Sequence, residues 1–308
     1  MSEKKRVCCI ELGGTTAAVA IAEEIGTFLW KKKGIPTAFP RNGEEAIKEI
    51  CDEINNCGYD YEAVGIASFG PLDIEKGGIA NTPKPNWKHF PLIEEIKKNL
   101  NKKDVPIILE TDVNAPAYSE YLALNEKGEK ARAVSYMTVG TGVGLGVFVD
   151  GRTLHGILHP EFGHIVVDEY KDDKFPGVCA FHGRCLEGLI SATALSQRLN
   201  IKPEELKDLP IDHEVWDLFC YYIARAAATA AYSYAIDNFV VGGGIRTGDN
   251  RAYLYDKANE MLKDMINGYL EAPLIRRPVY NKDAGLVGAA ACALHPEVFK
   301  FQKWNEYI

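Results

Sequence analysis

Within seven residues the chain sets Cys179, His182 and Cys185 at the spacing Cys-x-x-His-x-x-Cys, and His164 stands a short way upstream. Thiolate and imidazole are the ligands zinc prefers, and four of them close a tetrahedral shell that leaves no position for water. The spacing therefore predicts a structural zinc staple at His164, Cys179, His182 and Cys185, in a loop ordered by metal rather than by a core of its own. The remaining cysteines, Cys8, Cys9, Cys51, Cys57, Cys220 and Cys292, lie in or beside apolar or helical segments. They read as small buried hydrophobes, and no disulfide framework is expected.

A chain of 308 residues exceeds one small core and fits two lobes of about 100–200 residues with a cleft for small-molecule chemistry. Net charge is −8. The basic run Lys31-Lys32-Lys33 has no aromatic interleaving and reads as a solvated surface turn. Nucleic acid and an anionic membrane are thus unexpected partners. The first residues lack the apolar stretch of a signal peptide and no segment has the length of a membrane span, so a cytoplasmic protein is expected.

Periodicity and punctuation predict α/β organisation. A strand from Val7 stops at Gly13-Gly14-Thr15-Thr16 and resumes at Ala17. Helix 42–57, strand 63–68, a Gly70-Pro71 turn, helix 92–100 and strand 105–110 follow. Asp112-Val113-Asn114 opens a helix to about residue 125. Strands 133–139 and 143–149 flank Gly140-Thr141-Gly142, which repeats the N-terminal plan and points to an internal duplication. A long helix over 213–237 delivers the chain to Phe239-Val240-Val241 and the corner Gly242-Gly243-Gly244, and a last helix spans 284–293.

Glycine corners let backbone N–H groups approach an anion closely, and an adjacent hydroxyl adds a donor. Each corner alone is an ordinary tight turn; the three together point to a nucleotide site. None has the lysine-bearing P-loop or the G-x-G-x-x-G pattern. Among carboxylates, Asp112 sits between a strand end and a helix start, where helix capping is the commoner role and a base for the sugar hydroxyl the functional one. Glu161 and Glu187 flank the metal loop, which would fix their geometry. His155 and His159 are assigned to packing.

These segments resemble the ROK family of sugar kinases and sugar-responsive repressors, and most closely its fructokinase branch. The resemblance covers nearly the whole chain. Ile10-Glu11-Leu12-Gly13-Gly14-Thr15 is similar to the first phosphate loop, and Ser68-Phe69-Gly70-Pro71 with Thr82-Pro83-Lys84-Pro85 to the sugar-side loops. Thr111-Asp112-Val113-Asn114 is similar to the segment with the catalytic aspartate, and Thr138-Val139-Gly140-Thr141-Gly142 to the second phosphate loop. His159-Pro160-Glu161-Phe162-Gly163-His164 is similar to the sugar-and-zinc motif, Cys179 to Gly188 to the zinc loop, and Val241-Gly242-Gly243-Gly244 to the adenosine corner.

The resemblance implies a two-lobed actin-like ATPase fold (ribonuclease H-like) with a zinc-binding loop. The small lobe would be 1–113, joined by a C-terminal helix at about 290–308, and the large lobe 114–289 with the zinc loop at 159–188. It implies Asp112 as general base, and Glu161, His164, Glu187, Gly70 and Thr111 as sugar contacts. ATP, with Mg²⁺, would be held by Gly13, Gly14, Thr15, Thr16, Thr138, Gly140, Thr141, Gly142, Gly242, Gly243 and Gly244. The implied reaction is fructose plus ATP to fructose 6-phosphate plus ADP, in a homodimer. Thr16 departs from the family, which has lysine after Gly-Gly-Thr, and Pro116 replaces a small residue.

A ROK hexokinase for mannose, glucose or an N-acetylhexosamine is the alternative. Its signature would be Asn-Asp at Thr111-Asp112 and Ala-Gly-Glu at His159-Pro160-Glu161. A sugar-binding repressor would carry a DNA-binding region ahead of the first strand, where only about six residues stand. A degraded kinase that binds sugar without transfer is motivated only by Thr16.

Overall fold

Alternating side chains in β1 (Val7–Leu12) sort the first sheet into two faces. Cys8, Ile10 and Leu12 enter one apolar core, while Cys9 and Glu11 face the opposite side. The computed structural model describes residues 5–246 and 251–299. From β1 the chain turns into β2 (Thr16–Glu24) and β3 (Thr27–Pro36), an antiparallel meander. Helix α1 (Gly43–Asn55) follows, capped by the Asn42 side chain on the Glu45 amide at 2.7 Å. Strand β4 (Ala63–Ser68), the small hairpin β5 (Leu72–Asp73) and β6 (Gly78–Ile79), helix α2 (Leu92–Asn99) and strand β7 (Ile107–Thr111) complete this part. The sheet order is β3-β2-β1-β4-β7, with β1, β4 and β7 parallel.

Lys31-Lys32-Lys33 lies in β3, not in a turn. The run pairs with Ala20, Val19 and Ala18 of β2 at the sheet edge. An edge strand bonds on one side only, so lysines there stay solvated and discourage pairing with another chain. Lys31 and Lys33 both reach Asp283, at 3.0 and 2.5 Å.

Helix α3 (Asn114–Glu126) accommodates Pro116 in its first turn, where no intrahelical N–H bond is lost. Strands β8 (Val134–Val139) and β9 (Val143–Val149) form an antiparallel pair, and a two-residue strand β10 (Arg152–Thr153) follows. Next come α4 (Leu186–Ile190), α5 (Ala192–Leu199), α6 (Val215–Tyr234), β11 (Asn238–Gly242), α7 (Tyr253–Ile266) and β12 (Leu274–Arg276). β8, β11 and β12 are parallel neighbours. The run β9-β8-β11-β12 thus repeats the plan of β2-β1-β4-β7, a hairpin extended by parallel strands. The last helix, α8 (Ala284–Leu294), is apolar almost throughout and packs on β1 and β4. Gly65 of β4 makes room for it: a Cβ there would lie 1.9 Å from the Ala289 carbonyl oxygen.

The chain folds into two compact units. Within the described residues the first takes in the chain to Ser119, Gly151–His159 and the chain from Lys282; the second takes in Glu120–Asp150 and Pro160–Asn281. Residues 114–119, 151–159 and 282–289, assigned by sequence to the large lobe, fall in the first unit. Residues 300–308 of the expected terminal helix lie outside the described residues. Five of the six cysteines outside the loop are buried and Cys57 is half-buried. Among the described residues no helix is long and apolar enough to cross a membrane.

Candidate functional site

In the first unit the β1–β2 turn is closed by the Gly13 amide on the Thr16 carbonyl at 3.1 Å. Buried Thr37 fastens it: the Thr37 amide donates to the Thr15 carbonyl at 3.0 Å and its hydroxyl to the Gly13 carbonyl at 2.7 Å. Thr15 and Thr16 stay exposed. At the carboxyl ends of the parallel strands β4 and β7, the Asp112 amide donates to the Ser68 carbonyl at 2.8 Å. Thr111 Oγ1 accepts the Asn114 amide at 2.9 Å, so the hydroxyl that caps α3 belongs to Thr111, which is buried.

Behind this turn Glu110 is fully buried. Its carboxylate accepts the Thr111 amide at 2.6 Å and the Thr153 hydroxyl at 2.9 Å, and His155 Nε2 lies 2.9 Å from Oε2. The His159 ring lies edge-on to His155, with centroids 6.4 Å apart, and against Gly70, where a Cβ would come within 2.7 Å of its Nε2. Segment 151–159 is thereby tied both to the Asp112 turn and to the Gly70 loop. On the other side of β1, Glu11 sits at the start of α8 and accepts the Leu286 amide. Burial pushes its carboxyl up to about 7; the Lys33 ammonium opposes the rise, and the Asp112 and Asp283 carboxylates add to it.

In the second unit the Gly140 amide donates to the Gly142 carbonyl at 2.9 Å, and the first amide of α5, at Ala192, donates to the Gly140 carbonyl at 2.7 Å. Thr138 pairs with Gly242 in the sheet. Gly243 has φ +93°, and a Cβ on it would lie within 2.6 Å of the Val139 backbone, so only glycine brings the third corner this close to the second. Glu187, in the first turn of α4, accepts the Val143 amide on Oε2 at 2.9 Å. The loop after Cys179 is therefore bonded to the residue next to Gly142. Glu161 is exposed, and its carbonyl accepts the His164 amide at 3.0 Å.

His164, Cys179, His182 and Cys185 converge, with one ligand atom from each and all four atoms within 4.8 Å of one another. Cys179 Sγ is 3.7 Å from Nδ1 of both His164 and His182, and Cys185 Sγ is 3.6 Å from His164 Nδ1. Metal–sulfur and metal–nitrogen bonds of about 2.3 and 2.0 Å give tetrahedral S···N edges of roughly 3.6 Å, which these three sulfur–nitrogen separations match. Antiparallel bonds between Cys179 and Gly183, at 2.9 and 3.3 Å, shape the knuckle. Burial, with the Cys179 sulfur beside it, pushes the Cys185 thiol up to about 11, so a metal must displace a proton to bind there.

The ROK family model matches residues 7–295. The chain belongs to the ROK family. It is 34% identical to a fructokinase of Lactococcus lactis subsp. cremoris, over 86% of each chain. It is 31% identical to a fructokinase of Zymomonas mobilis, over 96% of this chain and 99% of the relative. A ROK glucokinase from Streptomyces griseus, solved in complex with glucose and AMPPNP, superposes with a TM-score of 0.77 at 25% identity over 94% of this chain and 99% of that one.

Within this ROK fold, the candidates assigned by sequence group by unit. Gly13, Gly14, Thr15, Thr16, Gly70, Thr111 and Asp112 lie in the first; Thr138, the Gly140 and Gly242 corners, Glu161, Glu187 and the four metal-ligand candidates lie in the second. Sequence reading missed the Glu110–His155 pair, since one buried carboxylate among 43 acidic residues leaves no trace in spacing. It also missed the enclosure of Glu11, though that residue's place inside an apolar strand was a signal.

Because the folded state holds the Glu11 proton more tightly than the unfolded chain does, wild-type stability falls as pH rises from about 4.5 to about 7. Glu11→Gln removes that dependence. It is expected to melt with wild type near pH 4 and to be stabler by about 3 kcal/mol above pH 7, at about 1.4 kcal/mol per unit. Parallel melting curves at the two pH values that coincide with those of wild type would refute this.

Proposed function

We propose that the chain is an ATP-dependent hexose kinase that phosphorylates fructose, with Asp112 as general base. The observation that carries this reading is the bond from Glu187 to the Val143 amide, which joins the metal-held loop to the Gly140-Thr141-Gly142 turn. That bond supports the reading because one short strut joins the residue assigned to sugar hydroxyls and the turn assigned to phosphate. Family membership and the fructokinase relatives support the reaction class.

In this reading Mg-ATP enters as substrate, its phosphates on the exposed Gly13-Gly14-Thr15-Thr16 turn and on the Thr138 to Gly142 segment, its adenosine against Gly242-Gly243-Gly244. Glu161, His164 and Glu187 hold sugar hydroxyls, and Gly70 and Thr111 contact the sugar beside the base. Zinc would sit on His164, Cys179, His182 and Cys185 and supply rigidity. With Nδ1 of His164 on the metal, Nε2 is left for a hydroxyl. The acceptor hydroxyl attacks the γ-phosphorus in line as its proton passes to Asp112; the bond to the β-phosphate oxygen breaks and its electron pair leaves with ADP. Amides of the two turns take up charge that spreads over the phosphoryl oxygens.

The His159-Pro160-Glu161 form of the sugar motif favours fructose over glucose, mannose or an N-acetylhexosamine. A coupled ADP-release assay with fructose, mannose, glucose and N-acetylmannosamine tests this. Fructose is expected to give the highest kcat/KM. A higher value for another sugar would move the assignment to that sugar, and turnover of none would sink the kinase reading.

A further inference from the structure

The Gly13-Gly14-Thr15-Thr16 turn contains no cation of its own, yet one reaches it from elsewhere in the first unit. Lys84 lies in the Thr82-Pro83-Lys84-Pro85 loop, which is held in place from its far side. The Trp87 amide donates to the Lys84 carbonyl at 3.0 Å, and the fully buried Trp87 ring donates through its N–H to the Thr37 carbonyl at 3.0 Å. Thr37 is the residue that fastens the glycine turn. Turn and loop therefore share one anchor.

The half-buried Lys84 side chain crosses the turn itself. A Cβ added at Gly14 would lie 2.5 Å from Lys84 Cε and 3.3 Å from Nζ, so any larger residue at Gly14 would have to displace it. The ammonium also stands 4.2 Å from the centroid of Phe69, a geometry that holds a cation in one direction. Phe69 adjoins Ser68, whose carbonyl fixes the Asp112 amide, and Gly70. A positive charge is thus set between the glycine turn and the loop beside the proposed base.

We propose that Lys84 is a phosphate-binding residue for the donor, with its ammonium on the terminal phosphoryl oxygens of the nucleoside triphosphate. The proposal rests on the reading of the Gly13–Thr15 turn as a phosphate site. Lys84 takes no part in the proton transfer: the sugar proton goes to Asp112, and the ammonium offsets charge on the oxygens in flight. A point charge on a flexible stem suits this task, because it follows the phosphoryl group as it moves.

Calorimetric titration with Mg-ATP and Mg-ADP tests this without requiring turnover. Lys84→Met keeps the aliphatic packing on Phe69 and removes the charge. It is expected to weaken Mg-ATP about tenfold or more, the worth of one charge-assisted hydrogen bond, while Mg-ADP changes by less than about threefold. The fructose KM and the melting temperature should stay at wild-type values. Lys84→Arg should retain ATP affinity, and adding Thr16→Lys to the Lys84→Met variant should restore part of it. Wild-type ATP affinity in Lys84→Met, equal losses for ATP and ADP, or a double variant no better than the single one would each overturn the assignment. Failure of the reading of the turn as a phosphate site looks different, since the wild-type protein would then not bind Mg-ATP, and failure of the kinase reading shows as no turnover with any sugar.

Discussion

Asp112→Asn is expected to lower kcat by about a thousandfold or more and to leave fructose binding within a few-fold of wild type. The substitution keeps the size of the side chain and removes its capacity to take a proton, and a positioned base contributes about 10²–10⁴ to such transfers. The turn should survive, because it has backbone and Thr111 supports that the substitution leaves in place. They are the Asp112 amide on the Ser68 carbonyl, the Thr111 hydroxyl on the Asn114 amide and the Thr111 amide on Glu110. Steady-state ADP release gives kcat, and calorimetry with fructose gives binding. Near wild-type turnover would remove Asp112 from the base role; lost sugar binding as well would make it a structural residue of the turn.

The fold was legible wherever a local rule decides. Strand β1, the glycine turn after it and helix α1 follow from apolar runs and punctuation that read the same in any context. The repeated hairpin around Gly140-Thr141-Gly142 announced the second sheet, and the strand plan bears out the duplication. The lysines of β3 were misread because the run is polar on both faces; only its place at the edge of a sheet, a tertiary fact, makes it a strand.

The site divides in the same way. Spacing found the four metal-ligand candidates because a small shell of soft ligands compresses into few residues. Thr111, assigned to sugar, also accepts the Asn114 amide on its hydroxyl, a local bond that short polar side chains make readily. Lys84 and Gly14, or His155 and Glu110, are far apart in the chain, and nothing in either segment names the other. Groups that act by pairing across the fold become visible only with coordinates.

Removal of the metal should have an effect of comparable size, and its path can be followed to a single amide. The loop from Pro160 to Cys185 has short turns, two isolated bridges and many exposed residues, and its fixed points besides the four ligands centre on Asp173, which Arg198 and Tyr222 hold. Structural zinc contributes on the order of 10 kcal/mol to such segments. Chelation, or Cys179→Ser, is expected to free the loop while the sheet of β8, β9, β11 and β12 stays folded. Glu187 then lets go of the Val143 amide, which it now holds at 2.9 Å. Hydrogen exchange at Val143 should accelerate by at least about tenfold, exchange at Met137 in the buried strand β8 should not, and kcat/KM for the sugar should fall by about two orders of magnitude, as expected when sugar-holding groups lose their geometry. Zinc added back should restore both. Since metal must displace the proton from Cys185, whose thiol burial raises to about 11, zinc retention should weaken as pH falls, which metal analysis after dialysis at stepped pH would read directly. A protein shown to be free of metal, with unchanged turnover and unchanged exchange at Val143, would mean that Glu187 is held by the fold alone and that the loop needs no ion to present it.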